Sequence, residues 1–284
     1  MSNTNLSGHS GCKIILVEED GRKPYVRKYS SGPEYNKRLE FQCNKQKSFV
    51  SDRIKAPTVY DTGYTEDGIF YFDMEYVQGI TLAQYMATMD ISRVRGMVDD
   101  IVKNIVNVQN EKSSEANTIF REKIASLEDS TSKLNNRYVI EALTELKKYD
   151  WSGFGSSFCH GDLTLENIIV RNNELYLIDF LDSFYDSWIL DIGKLMQDVQ
   201  TMWSYRFDKD ISTNTVIRLI AFRDILLEEI CKSSPERYCD IYYALLLHLV
   251  RIYPYTRDKE IFDFLDKKVS SVLGIINECR GEYR

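Results

Sequence analysis

The chain has 284 residues, and its 43 acidic against 36 basic side chains leave a net charge of −7, too little Lys and Arg for general binding to nucleic acid. Hydrophobic content of 43% with 28% charged residues, and no apolar run of bilayer length, point to a globular chain without membrane insertion. Six scattered cysteines form no Cys-x-x-Cys pair and no leader-like start is seen, which fits a reducing cytoplasm and excludes a zinc ribbon or a disulfide framework.

The first part of the chain reads mostly as strands with one helix. Ser7-Gly8-His9-Ser10-Gly11 is a small-residue stretch before the first strong strand, Lys13 to Val17. Glu19 to Arg22 offers turn chemistry, and Pro24 to Tyr29 returns as a second strand to make a hairpin. From Glu34 to Val50, Leu39, Cys43, Gln46 and Val50 recur at helical spacing, with Pro33 suited to a first turn. Val59 to Tyr64 and Ile69 to Val77 read as two further strands joined by Thr65-Glu66-Asp67-Gly68. Gln78-Gly79 then breaks the pattern.

Helices follow. Thr81 to Met89 is short. Ser92 to Glu111 is long, with Val94, Val98, Ile101, Ile105 and Val108 on one face. Glu115 to Leu127 and Leu134 to Tyr149 continue the pattern until two short strands, Asn167 to Val170 and Leu175 to Ile178, turn at Asn172-Asn173. Helices are expected again over Ser187 to Tyr205, Thr213 to Cys231, Glu236 to Ile252 and Asp258 to Cys279. The fold class is therefore α+β. A β-rich, nucleotide-binding first lobe (1–77) and a mainly helical second lobe (78–284) with the acceptor site are expected to meet at a hinge near 74–79.

Residues 159–180, CHGDLTLENIIVRNNELYLIDF, carry the chemistry. Phosphoryl transfer needs a carboxylate near the attacking hydroxyl and hard oxygen donors for Mg²⁺ beside the phosphates of ATP. His-x-Asp-x-x-x-x-Asn supplies base and metal ligand from one loop, and His160, Asp162 and Asn167 reproduce that spacing, with Asp179 closing the next apolar strand. Asp162 is thus the candidate base; Asn167 and Asp179 are the candidate metal ligands. His160 could act as acid or base, but its place favours bracing the loop backbone. Gly161 stands where many protein kinases carry Arg, which removes the usual anchor for a phosphorylated activation loop.

Lys28, at the end of the second strand, is the candidate phosphate-anchoring lysine; Arg27 and Lys23 are its rivals, Arg27 facing the other way along the strand. Its expected acidic partner on the following helix is Glu40, with Glu34 and Gln46 as alternatives. Gly8, Ser10 and Gly11 could let backbone N–H groups approach phosphates, and Glu75 and Val77 in the hinge could meet the adenine through main-chain atoms. Asp182, Asp186 and Trp188 are candidates to line the acceptor pocket. The aromatics Trp203, Tyr205, Tyr242 and Tyr243 could form a cage for a quaternary ammonium, though helical spacing favours core.

HGDLTLENIIV, then LYLIDF, then Leu190-Asp191-Ile192-Gly193 resembles the aminoglycoside phosphotransferase and choline kinase family, with loose similarity over the rest of the chain and a hinge at Met74-Glu75-Tyr76-Val77. The resemblance implies a protein-kinase-like fold and ATP- and Mg²⁺-dependent phosphorylation of a small-molecule hydroxyl. It makes Asp162 the base, makes Asn167 and Asp179 the magnesium ligands, and makes Asp191 a prop for the catalytic loop. Leu181 after Asp-Phe and the lack of an Ala-Pro-Glu signature depart from protein kinases and favour a small polar acceptor such as a sugar, an amino alcohol or an aminoglycoside-like molecule. The run IDFLDSFYDSW with LDIGKLMQD also resembles phosphotransferases of bacterial capsule and lipopolysaccharide gene sets, which suggests surface-polysaccharide metabolism. A protein Ser/Thr kinase and a nucleotide-binding scaffold without activity are the alternatives.

Overall fold

The computed structural model describes residues 2–6, 11–106, 113–232 and 234–282. The chain divides into two compact units. The first comprises Met1–Leu82 and Glu166–Asp182, and the second comprises Ala83–Leu165 and Ser183–Arg284.

The first unit holds two sheets. Strands β1 (Ser2–Leu6), β2 (Lys13–Glu18), β3 (Tyr25–Tyr29), β5 (Val59–Tyr64) and β6 (Phe70–Glu75) form an antiparallel sheet in the order β1-β2-β3-β6-β5. Alternation decides what each strand buries: Ile15 and Val17 of β2, and Val26 and Lys28 of β3, point inward. Helix α1 (Asn36–Ser48) packs Leu39 and Cys43 against Phe70, Phe72 and Cys12.

The second sheet joins β4 (Ile54–Lys55), β7 (Ile80–Thr81), β8 (Ile168–Arg171) and β9 (Glu174–Leu177) in the order β4-β9-β8-β7. The β8–β9 hairpin turns on Asn172 and Asn173, with φ of 51° and 65°, the left-handed pair a two-residue turn requires. Its pairing with β4 and β7 is why residues 166–182 belong with the first unit, whereas the linear reading assigns them to the second. The two-residue β4 and β7 carry too little pattern to be seen in sequence, and β1, a polar strand apart from Leu6, was also not expected.

The second unit is helical: α2 (Leu82–Thr88, whose first residue closes the first unit), α3 (Arg93–Ile105), α4 (Ser114–Thr131), α5 (Arg137–Lys148), α6 (Trp188–Val199), α7 (Thr213–Cys231), α8 (Arg237–Val250) and α9 (Lys259–Glu282). Helix α3 buries the expected stripe of Val94, Val98, Ile101 and Ile105; Val108 lies outside the described residues. Asn136 caps α5 by accepting the N–H groups of Tyr138 and Val139, and Ser212 caps α7 through Thr215 N–H. Helix α6 stops at Val199 instead of running to Tyr205. Met202 takes a left-handed φ of 62°, and the Asp198 side chain accepts from Ser204 N–H at 3.0 Å, closing the turn beyond the helix. No helix among the described residues is long and apolar enough to cross a membrane.

The aromatic side chains fill the core. Phe120 stacks on Trp151 at 4.3 Å between ring centroids and meets Phe154, Phe184 and Tyr185 edge-on. Tyr205, Tyr242 and Tyr243 are buried, which leaves no open cage of the kind the sequence suggests for a quaternary ammonium.

Candidate active site

The first unit holds Lys28 and the two candidate metal ligands, Asn167 and Asp179. Lys28 points inward from β3, almost wholly buried, and its Nζ lies 2.5 Å from Asp179 Oδ1. Arg27, one residue earlier, points to the opposite face, where it makes a two-pronged pair with Asp73 at 2.6 and 2.7 Å. That pair holds the guanidinium charged well above its ordinary range and removes Arg27 as a rival. Asp179 adopts a left-handed φ of 60°, an uncommon conformation for a residue with a side chain. The carbonyl of Asn167 accepts from Ile178 N–H at 3.0 Å, so the hairpin register brings Asn167 beside the strand end that carries Asp179.

Glu40 is not the partner of Lys28. It lies off the buried stripe of α1 and takes a hydrogen bond from the Tyr64 hydroxyl instead. The inward face of α1 carries Gln42, Lys45 and Gln46, and no carboxylate; Gln46 donates to the Pro57 carbonyl at 2.7 Å. Lys45 Nζ donates to the Leu181 carbonyl at 2.9 Å, just beyond Asp179. Asp182 belongs to the same helix contact, held by Arg38 at 2.6 Å and by Gln42 at 3.1 Å, and this engagement argues against an acceptor role. Glu75 pairs with Arg171 at 3.2 Å, and its N–H goes to the Thr58 carbonyl, while Val77 lies just past β6. Gly11 is described, exposed, with φ of 72°; Gly8 and Ser10 lie outside the described residues.

The second unit holds the candidate catalytic loop up to Leu165. Asp191, fully buried in the first turn of α6, accepts from His160 N–H at 2.5 Å, Gly161 N–H at 2.9 Å and the Cys159 thiol at 3.2 Å. Burial raises its carboxyl, while His160 and the backbone donors pull the other way. His160 is also buried, and its Nδ1 accepts from Asp162 N–H at 3.2 Å, so the ring braces the loop instead of facing solvent. Gly161 has φ of 93°, a conformation an arginine would adopt only under strain. Asp162 is half-buried, with Lys194 Nζ 2.9 Å from its Oδ1. Of the acceptor candidates here, Trp188 is fully buried and so cannot line an open pocket, while Asp186 is half-buried and its carbonyl accepts from Ser157 N–H.

Residues 6–214 match the phosphotransferase enzyme family, APH. The chain belongs to that family.

Among solved structures, this phosphotransferase is similar to a thermostable mutant of aminoglycoside phosphotransferase APH(4)-Ia, at 14% identity and a TM-score of 0.63 over 99% of this chain and 96% of that one. It is also similar to a protein named as a fructosamine-3-kinase from Haemophilus somnus 129PT, at 13% identity and a TM-score of 0.63 over 96% and 91%. A third is aminoglycoside 2'-phosphotransferase-IIIa in its GDP complex, at 17% identity and a TM-score of 0.63 over 95% and 93%. These likenesses show a shared protein-kinase-like fold. No curated protein matches the chain.

Two residues of α6 that hold this loop, Lys194 and Asp198, were missed in the sequence, and one signal would have found both. Asp191, Lys194 and Asp198 stand at i, i+3 and i+7, a polar stripe on a helix that is otherwise buried throughout apart from Lys194 itself. Asp191 holds His160 and Gly161, Lys194 holds Asp162, and Asp198 accepts from Leu165 N–H at 2.7 Å. One helix face thus holds the candidate loop from His160 to Leu165.

Proposed function

We propose that this small-molecule phosphotransferase moves the γ-phosphate of ATP to a hydroxyl of a small polar metabolite, with Asp162 as the base. The observation that carries the reading is the loop itself, an Asp held by a neighbouring lysine on a backbone tied down by Asp191 and Asp198. Asp162 would accept the hydroxyl proton as the oxygen bonds to the γ-phosphorus and the bond to the β-phosphate oxygen breaks, releasing ADP.

The donor set of the first unit suits magnesium. Asn167 and Asp179 offer hard oxygens, and among the described residues no group of three or more His, Cys, Asp or Glu is gathered as in an all-protein metal cage. Mg²⁺ is usually held by one or two side chains, with water and phosphate oxygens completing its shell. Bound there, it would neutralise charge on the β and γ phosphates. Lys28, now on Asp179, would supply the ammonium beside the phosphates, and Gly11, Glu75 and Val77 would meet the nucleotide through main-chain groups. Similar structures solved with AMP-PNP and hygromycin B or with ADP and hygromycin B support the use of an adenine nucleotide.

A role in surface-polysaccharide metabolism is part of this proposal and rests on sequence resemblance. The test is magnesium-dependent ATP turnover over a panel of sugars, amino alcohols and aminoglycosides. Phosphate on at least one acceptor, lost in Asp162→Asn, is expected. No transfer to any acceptor, with wild type and variant alike in basal ATP hydrolysis, would sink the reading.

A further inference from the structure

The second unit sets Lys194 on Asp162 and two further cations, Arg251 and Lys123, on one aromatic ring, although the chain as a whole is acidic. Lys194 is paired with Asp162 at 2.9 Å. Arg251, just beyond α8, places its guanidinium 5.6 Å from the centre of the Phe184 ring, and Lys123 of α4 places its ammonium 5.7 Å from the same ring. Arg251 also reaches His248 Nδ1 at 3.4 Å. His248 donates from Nε2 to the Leu190 carbonyl at 2.9 Å, and burial together with Arg251 and Lys194 keeps it neutral. It therefore offers no charge to balance its neighbours.

Among the described residues, neither Lys123 nor Arg251 forms an ion pair with a carboxylate. Both are half-buried. Burial lowers the pKa of each, and the charge of Arg251 lowers that of Lys123 further, while the Asp162 carboxylate draws Arg251 the other way. A ring face attracts a cation, but two cations against one ring repel each other and lose hydration as well. Withdrawing charge from water without a counter-ion is unfavourable, and an anionic ligand removes the cost. Contacts tie this pair to the loop: Arg251 meets His248, His248 donates to the Leu190 carbonyl on α6, and Lys194, one turn along the same helix, holds Asp162.

We propose that the acceptor is an anionic polyol, a sugar or alditol bearing a carboxylate or phosphate held by Lys123 and Arg251 while its reacting hydroxyl faces Asp162. The inference rests on the kinase reading for the role of Asp162, but the anion site stands on its own geometry. It disfavours amine-rich acceptors, because a protonated amine would meet Arg251 and Lys123 as like charges.

The experiment measures binding by calorimetry to the full chain with Mg²⁺ and AMP-PNP, using glucuronate, glucose 6-phosphate, glucose and glucosamine as probes. At least one anionic probe should bind about tenfold or more tightly than glucose, with glucosamine weakest. Comparing glucuronate with glucose 6-phosphate separates carboxylate from phosphate recognition. Arg251→Gln and Lys123→Gln should each weaken the anionic probe about tenfold and leave glucose unchanged. Lys123→Gln should also raise the thermal midpoint of the ligand-free protein, because an uncompensated charge is removed. Equal or tighter binding of glucose or glucosamine, no binding by any probe, or a lower midpoint in Lys123→Gln overturns the inference. Anion preference without phosphate transfer would count against the kinase reading alone, whereas transfer to glucosamine without anion preference would count against the anion site alone.

Discussion

Lys194 and Asp162 form an ion pair of 2.9 Å that joins the one incompletely buried residue of α6 to the candidate base. The pair sets the direction of the carboxylate, since Lys194 is anchored by a helix whose remaining residues are all buried. Lys194 is a positioning residue by this geometry, acting through Asp162.

Replacing Lys194 by Met should therefore lower kcat about 10- to 100-fold, roughly 1.4 to 2.7 kcal/mol of barrier, with little change in KM for the nucleotide. Lys194→Arg should recover part of the loss. A matching fall in thermal stability with kcat intact would show that the lysine serves only the fold.

Asp191→Asn should be worse for the loop than an isosteric change suggests. Both Asp191 oxygens accept hydrogen bonds, Oδ2 from His160 N–H and Oδ1 from Gly161 N–H and Cys159, so an amide must turn its NH₂ toward a donor. The expected cost is about 1.5–3 kcal/mol, read by urea unfolding. Asp198→Asn meets the same obstacle, with Leu165 N–H on one oxygen and Ser204 on the other, and should lose stability similarly.

Gly193 marks the close contact of α6 and α8. A methyl group there would sit 2.6 Å from Ala244 Cβ and 3.2 Å from His248 Cδ2. Gly193→Ala should cost about 1–3 kcal/mol by overpacking, and adding Ala244→Gly should return part of it. The double-mutant cycle measures that coupling.

Asp182 supplies a pH test. Burial pushes its carboxyl up, but the hydrogen bonds from Arg38 and Gln42 outweigh that and hold it below the usual carboxylate range. A depressed folded value means the stabilisation is present above the unfolded carboxyl pKa of about 3.9 and disappears as pH falls through the lower folded value. Asp182→Asn should therefore cost about 0.5–1 kcal/mol at pH 7, small because the pair is partly exposed. The difference from wild type should shrink as pH falls below the unfolded value and vanish once the folded carboxyl is protonated, as followed by denaturant titration at each pH.

Much of the candidate site could be named from the sequence because phosphoryl transfer demands particular atoms at particular chain spacings. His160, Asp162, Asn167 and Asp179 lie within one short segment, and the strand alternation that separated Lys28 from Arg27 is a local property of β3. The helix partner was not local. Choosing Glu40 required knowing which face of α1 turns inward, and the packing of Leu39 and Cys43 onto Phe70 and Phe72 turns the glutamate away toward Tyr64.

By itself, the sequence determined the phosphotransferase signature and the strand and helix periods, since both depend on residues near one another along the chain. Tertiary structure decided that β8 and β9 join the sheet of β4 and β7, that Lys28 meets Asp179, and that Asp191, Lys194 and Asp198 support one loop. It also placed Lys123 and Arg251 on Phe184. These pairings span up to about 150 residues, and only the burial of apolar faces, which sets how helices and strands pack, brings such distant side chains together.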